Sequence, residues 1–274
     1  MVNRKEWEVE GLNLTGNSIF APVNIKMKRY FLELAYKGTR YHGWQIQKNA
    51  TSIQELLEKA ISLVLRTPTA TMGSGRTDTG VHASQQFLHF DTVEELDPKD
   101  FLKKINSILP KDVAVYALRR VRSNGHTRFD AEWRSYVYKI SLRKNPFEQD
   151  TSWLYISDLD FKKMNEAAKM LLSYEDFQCF SKIKTDVNHF RCILKEAYWE
   201  QNDHQLVFHI TSNRFLRGMV RSIVGTLIEV GTGKWSLADF KKILENKDRN
   251  QAGFSAPPHG LFLCKVTYPE KIFI

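Results

Sequence analysis

With 274 residues, 42% of them hydrophobic, the chain can pack one large or two modest domains around a real core. Three cysteines (Cys179, Cys192, Cys264), with no Cys-x-x-Cys, argue against a disulfide framework or a thiolate zinc site and point to the reducing cytoplasm; no apolar run reaches membrane-spanning length, and Glu6, Glu8 and Glu10 replace the apolar stretch of a signal peptide. The net charge of +9 suits a polyanionic partner.

Residues 1–26 show no sustained periodicity and read as an extension to which no role is given. Tyr30, Leu32, Leu34 and Tyr36 alternate on one face of a strand. The aromatic turn Gly38-Thr39-Arg40-Tyr41-His42-Gly43-Trp44-Gln45 follows, with Tyr41 and Trp44 suited to plug a loop. From Ser52 to Thr67 the spacing predicts a helix: Ser52 and Glu55 form a capping box, and Ile53, Leu57, Ile61 and Leu65 belong to its apolar stripe. A glycine-rich loop, residues 73–83, leads to a strand over 86–91. Asp97-Pro98 opens a second helix, and Val113, Val115 and Ala117 mark another strand. After Arg119, Arg120 and Arg122, the turn Ser123-Asn124-Gly125 marks a junction.

The second half repeats the element content without a residue-level repeat. A strand runs over 134–142 with Tyr136, Tyr138 and Ile140 on one face. Asp160 caps a helix. Strands over 193–199 and 206–210 flank a turn at Gln201-Asn202-Asp203. A helix is expected over 215–230, another capped by Ser236 and Asp239, and a last strand over 261–268. Sheets with helices on the outer layer make an α+β class, with an N-terminal domain over 27–130 and a C-terminal domain over 131–274.

The loop Gly73-Ser74-Gly75-Arg76-Thr77-Asp78-Thr79-Gly80-Val81-His82-Ala83 carries the chemistry. Its glycines permit tight turns, and Asp78 reads either as a turn residue or as a carboxylate held for nucleophilic attack. The run lacks the Lys-Ser/Thr ending of a phosphate loop. It closely resembles the nucleophile motif of the TruA family of tRNA pseudouridine synthases, with Ser74 and Thr79 where the family has Ala. The segment at 38–45 resembles another family motif, with Lys37 replacing the usual Asp. His126-Thr127-Arg128-Phe129 resembles the family's His-Ala-Arg-Phe, and Met219-Val220-Arg221-Ser222-Ile223-Val224-Gly225 its third motif. Gly260-Leu261-Phe262-Leu263 resembles its closing strand, whereas 250–258 follows no strong pattern.

The resemblance implies two α+β domains whose antiparallel sheets join across a central cleft. It implies isomerisation of uridine to pseudouridine at positions 38, 39 and 40 of the tRNA anticodon stem-loop by a homodimer, without cofactor or metal. Asp78 would be the nucleophile and Arg221 its cationic partner. Tyr136 would stack on the target uracil, or simply pack in the core. Arg76 would contact the RNA, or pair locally with Asp78. Helical spacing would place Arg214, Arg217 and Arg221 on one face, the first two as phosphate contacts. Arg128, Arg119, Arg120, Arg122, Lys103 and Lys104 are further phosphate candidates. A non-catalytic RNA-binding protein or RNA chaperone on the same scaffold is the alternative, separated from the enzyme only by Asp78, Arg221 and Tyr136.

Overall fold

The structure, a computed structural model, describes residues 27–182 and 188–274; the extension read over 1–26 lies outside the described residues. In chain order the elements are β1 (Lys28–Tyr36), α1 (Ile53–Leu65), β2 (Met72–Gly73), β3 (His82–Thr92), α2 (Pro98–Ile108), β4 (Val113–Val121), β5 (Trp133–Ser141), β6 (Trp153–Leu154), α3 (Phe161–Met170), β7 (Leu194–Asn202), β8 (Gln205–Ser212), α4 (Met219–Gly231), α5 (Leu237–Asn246) and β9 (Leu261–Thr267). The strands form one mixed sheet in the order β4-β1-β3-β9-β5-β8-β7, with β2 added to β3 and β6 to β5.

The alternating residues of β1 are buried as the sequence pattern requires. Phe31, on the opposite face, is buried too, because Tyr268 and Phe273 pack edge-on against it. On β5, Tyr136, Tyr138 and Ile140 are buried together. Helices α1 and α2 pack against one another beside the first strands, and α3, α4 and α5 cluster beside the last. The result is an α+β fold with a large sheet and peripheral helices.

Strands from the two halves of the chain share that sheet. The join is β9, antiparallel to β5 but parallel to β3, through His82↔Phe262 and Ala83↔Leu263. Within each half the main strands pair antiparallel, as expected of the two sheets; where the halves meet, the β3–β9 step is parallel.

Three local expectations are corrected. Ser52 Oγ accepts from Glu55 N at 3.3 Å, but the Glu55 carboxylate bonds Lys59 at 2.5 Å, so among the described bonds only half of the capping box is made. The complete box is at Ser236 and Asp239. The β7–β8 turn falls at Asp203-His204, because pairing runs on to Asn202↔Gln205. Helix α4 begins at Met219, four residues later than expected. Gly218 precedes it at φ +73°, a left-handed conformation that cannot continue a right-handed helix.

Candidate active site

Asp78 lies between β2 and β3, on a loop fixed from below. Gly43 has φ +84°, and a Cβ there would come within 2.5 Å of the Thr77 carbonyl oxygen. Trp44 N donates to that oxygen at 3.1 Å, and the Trp44 ring fills the space where a Cβ on Gly73 would stand. Trp44 is therefore the plug that the aromatic turn suggests. The Tyr36 and Thr77 hydroxyls share a buried hydrogen bond of 2.8 Å. Val81 N donates to Asp78 O at 3.1 Å, closing the turn. Ser74, one of the two departures from the family pattern, is buried and donates its hydroxyl to Gln86 Oε1.

His82, at the end of the same run and the first residue of β3, is a structural residue. Its Nδ1 accepts from Gly38 N at 2.9 Å, leaving Nε2 to donate to His259 O at 3.1 Å. Burial lowers its pKa, which keeps this neutral arrangement.

The Asp78 carboxylate is about one-third exposed and faces two guanidiniums. Arg221 Nη1 lies 3.7 Å from Oδ2, and Arg217 Nε lies 4.0 Å from Oδ1. These are ion-pair separations longer than hydrogen bonds. At ~4 Å such attraction is on the order of 1 kcal/mol in water and ~4 kcal/mol at an intermediate effective dielectric, so a substrate that displaces water strengthens the pair. Arg221 is the better fixed cation. Its Nε donates to Ala256 O at 2.6 Å, Ala256 N donates back to Arg221 O at 3.0 Å, and its side chain is less exposed than that of Arg217.

The expected single helical face of Arg214, Arg217 and Arg221 is overturned by the late start of α4. Arg214 and Arg217 stand on the segment before it, and Arg214 Nη1 reaches His189 Nε2 at 3.0 Å. Gly218, visible in the sequence, is the signal that could have placed that break. Arg76 is exposed and makes no ion pair with Asp78 among the described residues.

Seven of the sequence candidates, Arg76, Asp78, Arg128, Tyr136, Arg214, Arg217 and Arg221, line one cleft of about 1950 Å³. That exceeds the few hundred to thousand Å³ typical of a small-molecule pocket. Arg134, Lys182 and Arg249 add positive charge, against Asp78 and Glu132 alone among the described lining residues. Tyr136 is buried within the cleft wall, its ring edge-on to Phe215 at a centroid distance of 5.0 Å. Burial pushes its phenol up to about 12, so the hydroxyl stays protonated at neutral pH. Arg119, Arg120, Arg122, Lys103 and Lys104 do not line the cleft, and Arg120 bonds Glu95 at 2.9 Å.

Two further contributors escaped the sequence reading. Arg134 has no carboxylate partner among the described residues. Its guanidinium instead donates to Ser74 O (2.9 Å), Arg128 O (2.7 Å) and Asn213 O (2.9 Å), tying together three loops around the cleft. Such bonding offsets the cost of burying the charge, although desolvation still lowers its pKa. The patternless stretch 250–258 supplies the Ala256 carbonyl that orients Arg221. It lies so close to α4 that a Cβ on Gly225 would overlap Phe254 O. Neither a basic residue on a strand nor a patternless loop carries a sequence signal for these contacts.

Comparison with known proteins accords with this geometry. A family model described as tRNA pseudouridine synthase matches residues 34–133 and 167–269. The chain is 51% identical over 251 residues to tRNA pseudouridine synthase A of Bacteroides fragilis, covering 91% of this chain and all of the relative. It is 49% identical over 250 residues to the protein of the same name from Bacteroides thetaiotaomicron, covering 90% of this chain and 93% of the relative. The corresponding protein of Exiguobacterium sibiricum is 38% identical over 246 residues, covering 89% and 98%. The chain belongs to the TruA family of tRNA pseudouridine synthases.

Proposed function

We propose that the cleft isomerises uridine to pseudouridine at positions 38, 39 and 40 of the tRNA anticodon stem-loop, with Asp78 as nucleophile. The observation that carries this reading is a carboxylate facing two guanidiniums at 3.7 and 4.0 Å inside a basic cleft large enough for a nucleic acid.

In the reaction the C1′–N1 glycosidic bond breaks, the uracil turns, a C1′–C5 bond forms, and the C5 proton leaves as N1 gains one. No atom is gained or lost. A carboxylate that adds covalently divides this exchange into easier steps. Arg221, braced by Ala256, presents a fixed positive charge to the carboxylate. The target nucleotide leaves its stack to reach it. Tyr136 forms a wall on which the uracil stacks. Its protonated hydroxyl suits hydrogen bonding better than proton removal at neutral pH. Arg76, unpaired with Asp78 and exposed, is free to occupy the gap in the RNA. Arg214, Arg217 and Arg128 meet phosphates.

The enzyme acts in the cytoplasm as a homodimer in this reading. Support for self-association comes from Tyr198, His209, Val137 and Phe262, paired neighbours across β7, β8, β5 and β9 that are only half-buried or exposed. Sedimentation equilibrium tests the dimer. For the reaction, pure protein is incubated with unmodified tRNA without added metal or nucleotide, and pseudouridine is mapped. Product at 38, 39 and 40 is expected; no product, or product elsewhere, would overturn the assignment.

A further inference from the structure

We propose that the Phe129 ring is a stacking platform for a nucleobase of the RNA in the cleft, adjacent to the uridine delivered to Asp78. The inference rests on the cleft being an RNA site. Phe129 lines that cleft yet exposes 74% of its surface. A large aromatic left open inside a basic cleft buries little of its own surface, and nucleic-acid sites pair such rings with cations.

The ring is held in place. It sits on the connection between β4 and β5, where His126 N donates to Asp130 Oδ2 at 2.6 Å and Asp130 N donates to His126 O at 3.0 Å. Arg134 anchors the Arg128 carbonyl, and Thr127 Oγ1 donates at 2.8 Å to Met72 O, beside the start of the Asp78 loop. The His126 ring lies 4.3 Å from the Phe129 centroid, and the Arg128 guanidinium carbon lies 5.5 Å from it. Such a preformed ring loses little freedom when a base settles on it. The loop is tied both to the nucleophile segment and to β5, which carries Tyr136, so a base on Phe129 would be registered against the one reaching Asp78.

The test compares wild type with Phe129→Ala, Phe129→Leu and Phe129→Tyr, measuring tRNA Kd, KM, kcat, thermal melting and sedimentation. Because the ring is exposed, Phe129→Ala is expected to melt like wild type. It should raise Kd and KM about ten- to a hundredfold, with kcat changed far less. Tyr should restore binding and Leu should not. Wild-type affinity in Phe129→Ala would overturn the inference, as would equal rescue by Leu and Tyr, or a loss of affinity that tracks dissociation of a dimer. If Phe129→Ala melts lower, the contrast between Leu and Tyr decides. Weaker binding in Phe129→Ala alongside wild type that forms no pseudouridine would keep the stacking role and discard the enzymatic reading. The opposite pair of results would do the reverse.

Discussion

Asp78 and the arginines facing it stand on opposite walls of one cleft, and the walls are built differently. The Asp78 wall is fixed by close packing: Gly43 against Thr77 O, the Trp44 ring under Gly73, and the buried Tyr36–Thr77 bond leave the loop little room to move. The arginine wall is held by fewer contacts. Arg221 is braced by one carbonyl, while Arg217 reaches across from an irregular segment with 61% of its side chain exposed. The nucleophile proposed at Asp78 must meet its target atom within a fraction of an ångström. A counter-charge acts through a field that varies gently with distance. Rigidity is concentrated where position matters most.

This contrast can be broken at four points. Asp78→Asn should lower pseudouridine formation by more than about a thousandfold while leaving the melting temperature close to wild type, as read by mapping and calorimetry. Substantial retained activity would remove the nucleophile. On the opposite wall, Arg221→Met should cost about a hundredfold in kcat/KM, but Arg217→Met less than about tenfold, as expected for an exposed pair. Equal losses would erase the distinction between braced and adjustable cations. Gly43→Ala forces a side chain into a left-handed φ and against Thr77 O, so it should destabilise the fold by about 2 kcal/mol or more and reduce activity; an unchanged denaturant midpoint would show that the loop yields.

The smallest effect is a pH dependence. Burial lowers the pKa of both His82 and His89, the latter to about 4 from an ordinary 6.5. The unfolded chain therefore binds more protons below about pH 6.5. Their contribution to stability is complete above that value and is lost as the pH falls towards 4. Melting should drop between pH 7 and 4.5, and the drop should be shallower in His89→Gln; identical slopes would refute the assignment.

The parts of this molecule legible in its sequence are those governed by local rules. Alternation located β1 and β5, Asp97 and Asp160 announced α2 and α3, and the glycine-rich run located the loop that holds Asp78. What escaped depends on contacts between distant segments. The helix over 215–230 looked continuous because its apolar spacing extends past Gly218, yet one left-handed residue moves Arg214 and Arg217 off it. Arg134 looked like an ordinary strand residue, since three carbonyls from three loops are invisible until the chain folds. Ala256 carries no side-chain chemistry at all; its role lies in its backbone oxygen.

The seam between β3 and β9 also bears on how the protein is made. Gln85 Oε1 accepts from Val266 N at 2.9 Å, across 181 positions of chain. Asp78 leaves the ribosome long before that partner strand exists. Until β9 arrives, a nascent or truncated polypeptide presents two unsatisfied strand edges at the centre of its sheet, a surface open to chaperones and proteases. Competence is thus acquired late in synthesis, and fragments stopping short of residue 261 are expected to be cleared as misfolded products, unable to act on tRNA.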